Sequence, residues 1–434
     1  MTVAGIDLSA IEFWGLPLPE RSAAFAVLRA QGRPQFFAEP EAPFAVNPRG
    51  YYALVSYADV VEASKKTELF CSGQGATSIA DLPGEFNEYF GSMINMDNPR
   101  HARLRRIVSR AFSRRMVTQF EEDVRQAAVT VVDGLLAAGP GDFVSQVAAR
   151  LPLKIICDMA GIPDDKYDMV LANSNIILSG SDPEFISENP DEAVGQLLGA
   201  AQELTDLVTS LAAVRAGTPG EDLISLLVNA NIDGEQLTSQ ELASFFILLV
   251  VAGNETTRNA LSHALLLFTE FPEQRALLLE DFEGRIAGAV EEIVRYSSPV
   301  LFMRRTLTQD YTMNGQEYRE ADKFMLCYYS ANRDESVFPD PDRFDILRSP
   351  NPQVGFGAAG RQVPVRAGRQ RAAHAHPGGR FREGRPASRP APARVPRARL
   401  VLAEGHAAPR RGGLSRHCAR PARLRPHDRL GRGL

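Results

Sequence analysis

Apolar residues recur at helical spacing along most of the first 360 positions, and the longest such run lies between residues 237 and 270. That run is too long and too evenly filled for a surface helix, so it predicts a central, buried one. Within 115–138, Val117, Phe120, Val124, Ala127, Val131 and Leu135 repeat every three or four residues and predict a stripe facing a core. The same spacing places helices at about 99–112, 143–160, 163–176, 191–215 and 220–230, with a short one over 57–66. Strand patterns are fewer. Phe44-Ala-Val46 and Tyr51-Tyr-Ala-Leu-Val-Ser56 flank Asn47-Pro-Arg-Gly50, which predicts a hairpin, and a strand-rich interval separates residues 295 and 338. The fold class expected is mainly α with small β sheets.

Charge divides the chain more sharply than any linker. Residues 361–434 hold 19 of the 48 bases, all arginine, and only three of the 53 acids, Glu383, Glu404 and Asp428. That leaves 29 bases against 50 acids before them, a formal net charge of -21 for residues 1–360 against +16 for the rest. Arg, Ala, Pro and Gly dominate the last segment, and Phe381 is its only aromatic residue. So little apolar bulk does not offset the entropy of ordering, which predicts a disordered tail after a domain over 1–360. A basic arm for nucleic acid is the alternative. It lacks interleaved aromatics or a reading motif, so no nucleic-acid partner is expected. A change of translation frame in a GC-rich gene would produce such a composition break.

Cys71, Cys157, Cys327 and Cys418 form no CxxC pair or metal-ligand cluster, as in a reduced protein. The start, MTVAGIDLSAIEFWG, lacks the pattern of a signal peptide. Runs such as Phe245–Ala252 fall short of the roughly 20 residues that span a bilayer. No membrane span and a cytoplasmic location are therefore expected.

Three segments carry candidate chemistry. Ala252-Gly-Asn-Glu-Thr-Thr257 interrupts the apolar run with a small residue, an acid and hydroxyls. It reads either as a kink with internally satisfied polar groups or as a place where a flat ligand approaches the backbone beside a proton relay. Glu292-Ile-Val-Arg295 places opposite charges on one helix face, and Phe338-Pro-Asp-Pro-Asp-Arg-Phe344 offers another Arg to the pair. In Pro99-Arg-His-Ala-Arg-Leu-Arg-Arg106, His101 and Arg105 are four apart and can face one anionic group; the other reading is a solvated arginine face.

In this order the pieces resemble the cytochrome P450 superfamily of haem-thiolate monooxygenases. AGNETT matches its oxygen-activation signature, EIVR its ExxR element, FPDPDRF its Arg-containing meander and VGFG the entrance to its haem loop. GSMINMDNPRHARLRRIVSRAF, LPLKIICDMAGIP and EEIVRYSSPVLFMRRTLTQD look like bacterial members that hydroxylate steroid side chains or methyl-branched lipids. The resemblance covers roughly residues 10–358. It implies a cytochrome P450 fold, incomplete at the C-terminus, and haem b as cofactor. The implied activity is haem-dependent hydroxylation of a sterol-like or methyl-branched lipid, using dioxygen and electrons from ferredoxin and ferredoxin reductase.

By the same resemblance, Glu255 and Thr256 are catalytic and organise proton delivery. His101, Arg105 and Arg305 contact the haem propionates, while Ala252 and Gly253 leave room over the ring. Glu292, Arg295 and Arg343 form a structural triad. The chain departs from the family at the metal ligand: the family's Cys lies seven positions after the loop Phe, and seven after Phe356 is Val363. Ala359 likewise replaces the loop's glycine, while Arg361 matches its His or Arg. His374 and His376 lie in no matching loop, so no metal ligand is assigned. Without a proximal thiolate, the electron donation that favours O–O cleavage is lost. The alternative is thus a catalytically inactive haem- or lipid-binding remnant.

Overall fold

A computed structural model of the chain describes residues 5–39, 48–112, 114–179, 185–187 and 189–358. The predicted tail and the segment Phe44–Val46 lie outside these residues. The long apolar run is one unbroken helix, Ser239–Glu270. Its start is fixed by a capping box: the Glu241 backbone N–H donates to Thr238 Oγ1 at 3.1 Å, and the Thr238 N–H to the Glu241 carboxylate at 2.9 Å. Phe245, Phe246, Ile247 and Val250 are buried against Leu153, Ile156, Leu204, Val208 and Ile224 from surrounding helices. The helix continues through Ala252–Thr257 without a break.

The other helices fall where spacing predicts them, with different ends. Residues 100–111 and 114–138 are helical. The 143–160 segment divides into a π turn, Val144–Ala148, and a helix, Arg150–Ala160. Residues 163–176 become a 3-10 turn at Asp164–Lys166 followed by Tyr167–Ser179. Pro190–Arg215 and Leu223–Val228 complete this group, each started by an acceptor side chain, Asn189 or Asp222.

The 114–138 helix corrects the stripe. Ala127 is buried, Phe120, Val131 and Leu135 are half-buried, and Val124 is exposed, while Val117 lies outside the described side chains. This helix packs on Arg150–Ala160 and the 144–148 turn, a contact too narrow to cover the whole apolar face.

Among the described residues seven strands form two sheets: β1 (Gln35–Phe37), β2 (Tyr51–Leu54), β3 (Phe70–Cys71), β4 (Phe302–Leu307), β5 (Tyr311–Met313), β6 (Gln316–Tyr318) and β7 (Lys323–Cys327). The larger sheet runs β1-β2-β7-β4-β3, with β2 and β7 parallel and the other pairs antiparallel. The strand antiparallel to β2 is therefore β1, a three-residue segment too short to signal itself by alternation. The β5–β6 hairpin turns on Asn314 and Gly315, both at positive φ, as a two-residue turn requires. Among the described residues no helix is long and apolar enough to cross a membrane.

Candidate functional site

A cavity of about 730 Å³ opens between the Arg100–Ala111 helix, β4 and the Phe356–Ala358 segment. Its lining includes His101, Arg105 and Arg305, which brings together three positions far apart in the chain. On the helix, Arg100, Arg103 and Arg106 are paired with Glu88, Glu241 and Glu235 at 2.5, 2.6 and 2.7 Å. Among the described residues no carboxylate is paired with His101 or Arg105, whose four-residue spacing turns both toward the cavity. Burial lowers the pKa of His101, and the charge of Arg105 lowers it further, against a smaller opposing effect of Asp97.

Adjacent arginines on β4 show what strand alternation does. Arg304 is fully buried and bound to Asp81 at 2.6 Å and to the Ile79 and Ala80 carbonyls. Arg305 faces the cavity, with Nη1 donating to the Arg304 carbonyl at 2.7 Å and its buried Nε–H without a partner.

The central-helix signature is not among the cavity's lining residues. Thr256 Oγ1 donates to the Ala252 carbonyl at 2.8 Å. The Glu255 carboxylate is held by Asn259 at 2.9 Å and by Arg258, which also reaches Asn175. Asn254 is fully buried, and neither polar atom of its side chain has a partner. A Cβ at Gly253 would lie 2.9 Å from Ile156 Cδ1, so the missing side chain admits the neighbouring helix. Ala252 is half-buried and contributes its carbonyl to Thr256.

The Glu292–Arg295 pair is completely buried. Arg295 bonds Glu292 through Nε at 2.7 Å and Nη2 at 2.9 Å, and spends its other donors on the carbonyls of Asn332, Pro341 and Arg343. Arg343 supplies only that carbonyl; its side chain is 65% exposed and lies 3.9 Å from Asp345. The guanidinium completing the triad is that of Arg348, 9% exposed and 3.2 Å from Glu292. Asn351 and the Asp345 backbone N–H also donate to Glu292. Sequence reasoning missed Arg348 and Asn351. The available signal was the carboxylate itself, because a buried Glu accepts more bonds than one Arg supplies.

This network carries the loop to the cavity. Asn332 Oδ1 accepts from the Val354 N–H at 2.8 Å, and Gly355 packs so closely on Val294 that a Cβ would sit 2.7 Å away. Gly357, at φ +89°, then places the chain against the Tyr328 hydroxyl. Cys71 lines the cavity, but burial raises its pKa, with Asp97 adding to the effect. Burial also pushes the Cys157 thiol up to about 12 and raises that of Cys327.

The cytochrome P450 family model matches residues 210–361. A methyl-branched lipid omega-hydroxylase of Mycobacterium tuberculosis is 45% identical over 361 residues, covering 82% of this chain and 83% of that protein. A steroid C26-monooxygenase of Mycolicibacterium smegmatis is 37% identical over 323 residues, covering 74% and 73%. Among solved structures, a Mycobacterium marinum cytochrome P450 in complex with pseudoionone is 40% identical with a TM-score of 0.78, covering 83% of this chain and 87% of that one.

Proposed function

The chain belongs to the cytochrome P450 superfamily, and we propose that its scaffold is that of a haem-dependent monooxygenase hydroxylating a sterol-like or methyl-branched lipid. The observation that carries this reading is the 45% identity to a methyl-branched lipid omega-hydroxylase over 82% of the chain. Ferredoxin and ferredoxin reductase supply the electrons, and the enzyme domain is residues 1–360, working in the cytoplasm.

Haem b fits this chain at one end of the cavity and not at its metal. His101, Arg105 and Arg305 suit the two propionates, because they face one cavity and a carboxylate there would satisfy the open Nε–H of Arg305. The ligand position, Val363, has no lone pair to offer. The described cysteines are buried with raised pKa values, which favours the thiol over the thiolate that binds metal. With a thiolate in place haem would supply the oxygen chemistry. The roles of the central helix follow from its own bonds. Thr256, anchored to the Ala252 carbonyl, keeps its lone pairs free to orient a proton donor. Glu255, its carboxylate steadied by Arg258 and Asn259, is the second polar group of that path. Glu292, Arg295 and Arg348 hold the loop that reaches the cavity.

The test is a hybrid in which residues 359–434 are replaced by the corresponding end of the methyl-branched lipid omega-hydroxylase. With ferredoxin, its reductase and NADPH, the hybrid is expected to add one oxygen to a methyl-branched fatty acid or a sterol side chain, read by mass spectrometry. The chain itself is expected to give no product. A hybrid that binds haem and lipid yet forms no product overturns the reading. Val363 favours a second reading for the unaltered chain, a haem- or lipid-binding remnant without turnover.

A further inference from the structure

We propose that this chain binds porphyrins by their carboxylates alone, so that it takes up a metal-free porphyrin dicarboxylate as tightly as haem. The inference rests on the reading of the cavity as a propionate site and adds that the metal contributes nothing to affinity. Two arginines and a histidine from two elements, His101 and Arg105 on the helix and Arg305 on β4, line one cavity of about 730 Å³. That volume lies within the range of sites that enclose small ligands.

The neighbouring arginines are committed elsewhere, which sets His101, the exposed Arg105 and Arg305 apart. Arg100, Arg103 and Arg106 each have a carboxylate within 2.7 Å, and Arg304 is saturated by Asp81 and backbone carbonyls. Arg305 instead keeps a buried Nε–H without a partner, a state costly enough to call for an acceptor. Of the two acids on the wall, Glu68 is exposed to solvent and Asp97 is occupied by the backbone N–H groups of Ser72 and Gly73 at 2.8 and 2.7 Å. Met93, Ile94, Met96, Met303 and Phe356 supply apolar surface for a flat ring.

Among the described residues nothing comparable waits for the metal. The family's ligand position is Val363, and Cys71, the one described cysteine on the cavity wall, is buried beside Asp97, whose charge opposes a thiolate. A metal that gains no coordinate bond leaves the two carboxylates and the ring face as the whole source of affinity.

The experiment titrates the full chain in parallel with haemin and with metal-free protoporphyrin IX, following absorbance and fluorescence. The expected dissociation constants agree within about threefold, and protoporphyrin IX dimethyl ester binds at least about tenfold more weakly, as loss of charge-assisted bonds requires. Because the ester test uses the unaltered chain, it does not depend on a variant folding. Arg105→Gln and Arg305→Gln are expected to weaken both porphyrins in parallel. Haemin binding more than about a hundredfold tighter than protoporphyrin IX would overturn the inference, since a coordinate bond would then be contributing, and loss of that excess in Cys71→Ser would identify its source. That outcome leaves the propionate reading standing. Failure of both porphyrins to bind overturns the inference and the propionate reading together.

Discussion

Arg295 and Arg305 lie ten residues apart and are finished in opposite ways. All five N–H donors of Arg295 have acceptors inside the protein, and its side chain is completely buried against Glu292. Arg305 has its Nη1 bond to the Arg304 carbonyl, while its buried Nε–H has no partner and the side chain lines a cavity. A guanidinium whose donors are all used holds the protein's own chain in place. One with an open, desolvated donor that also lines a cavity, as Arg305 does, is prepared for a ligand. The difference separates scaffold from site without reference to any catalytic step.

The largest effect should come from breaking the closed side. Arg295→Ala leaves Glu292 buried without its main partner, and loss of one member of such a pair costs about 3–5 kcal/mol. Folded protein in a urea titration should fall accordingly; a midpoint equal to the parent's would show that the network is not structural. Arg348→Ala removes bonds to Glu292 and to the carbonyls of Pro339, Asp340 and Arg343, and is expected to cost about 1–3 kcal/mol. Arg343→Ala is the control, because its side chain is largely exposed, and its effect should stay within about 0.5 kcal/mol. The reverse ranking of those two variants would restore Arg343 to the triad.

The open side is sharpened by Arg305→Gln. The substitution removes an unsatisfied donor and one bond to a backbone carbonyl, so stability should move by less than about 1 kcal/mol. A loss as large as that of Arg295→Ala would make Arg305 part of the scaffold and end the contrast.

What the sequence conveyed follows the same division. Periodic signals were legible: the Ser239–Glu270 helix from its apolar run, and the Glu292–Arg295 pair from three-residue spacing on a helix. His101 and Arg105 were legible as a shared face and Arg305 only through the family resemblance; all three line one cavity. Irregular segments were not legible. Arg343 and Arg348 both lie beyond the last regular strand, where no period says which side chain turns inward. The close approach of Ile156 to Gly253 was not legible either, because Ile156 belongs to a helix about a hundred residues earlier. The apolar stripe of 114–138 promised burial that depends on a partner, and spacing alone does not supply one.

The smallest expected effect tests the contrast through protons. Burial lowers the pKa of both His101 and His263, aided by Arg105 in the first case and by Arg21 and Arg333 in the second. A histidine with a lowered folded pKa binds fewer protons folded than unfolded between its two pKa values. Its contribution to stability is therefore full above the ordinary value of about 6.5 and is lost as pH falls to the lowered one. Urea midpoints of the porphyrin-free chain at pH 7.5 and 5.5 should drop with pH, and His101→Gln and His263→Gln should each shrink the drop. Carboxylates at the cavity favour the charged imidazole, so added protoporphyrin IX should cancel the part due to His101 and leave that of His263 in place. If porphyrin leaves both parts unchanged, His101 does not face the carboxylates, and the open side of the comparison reduces to the two arginines.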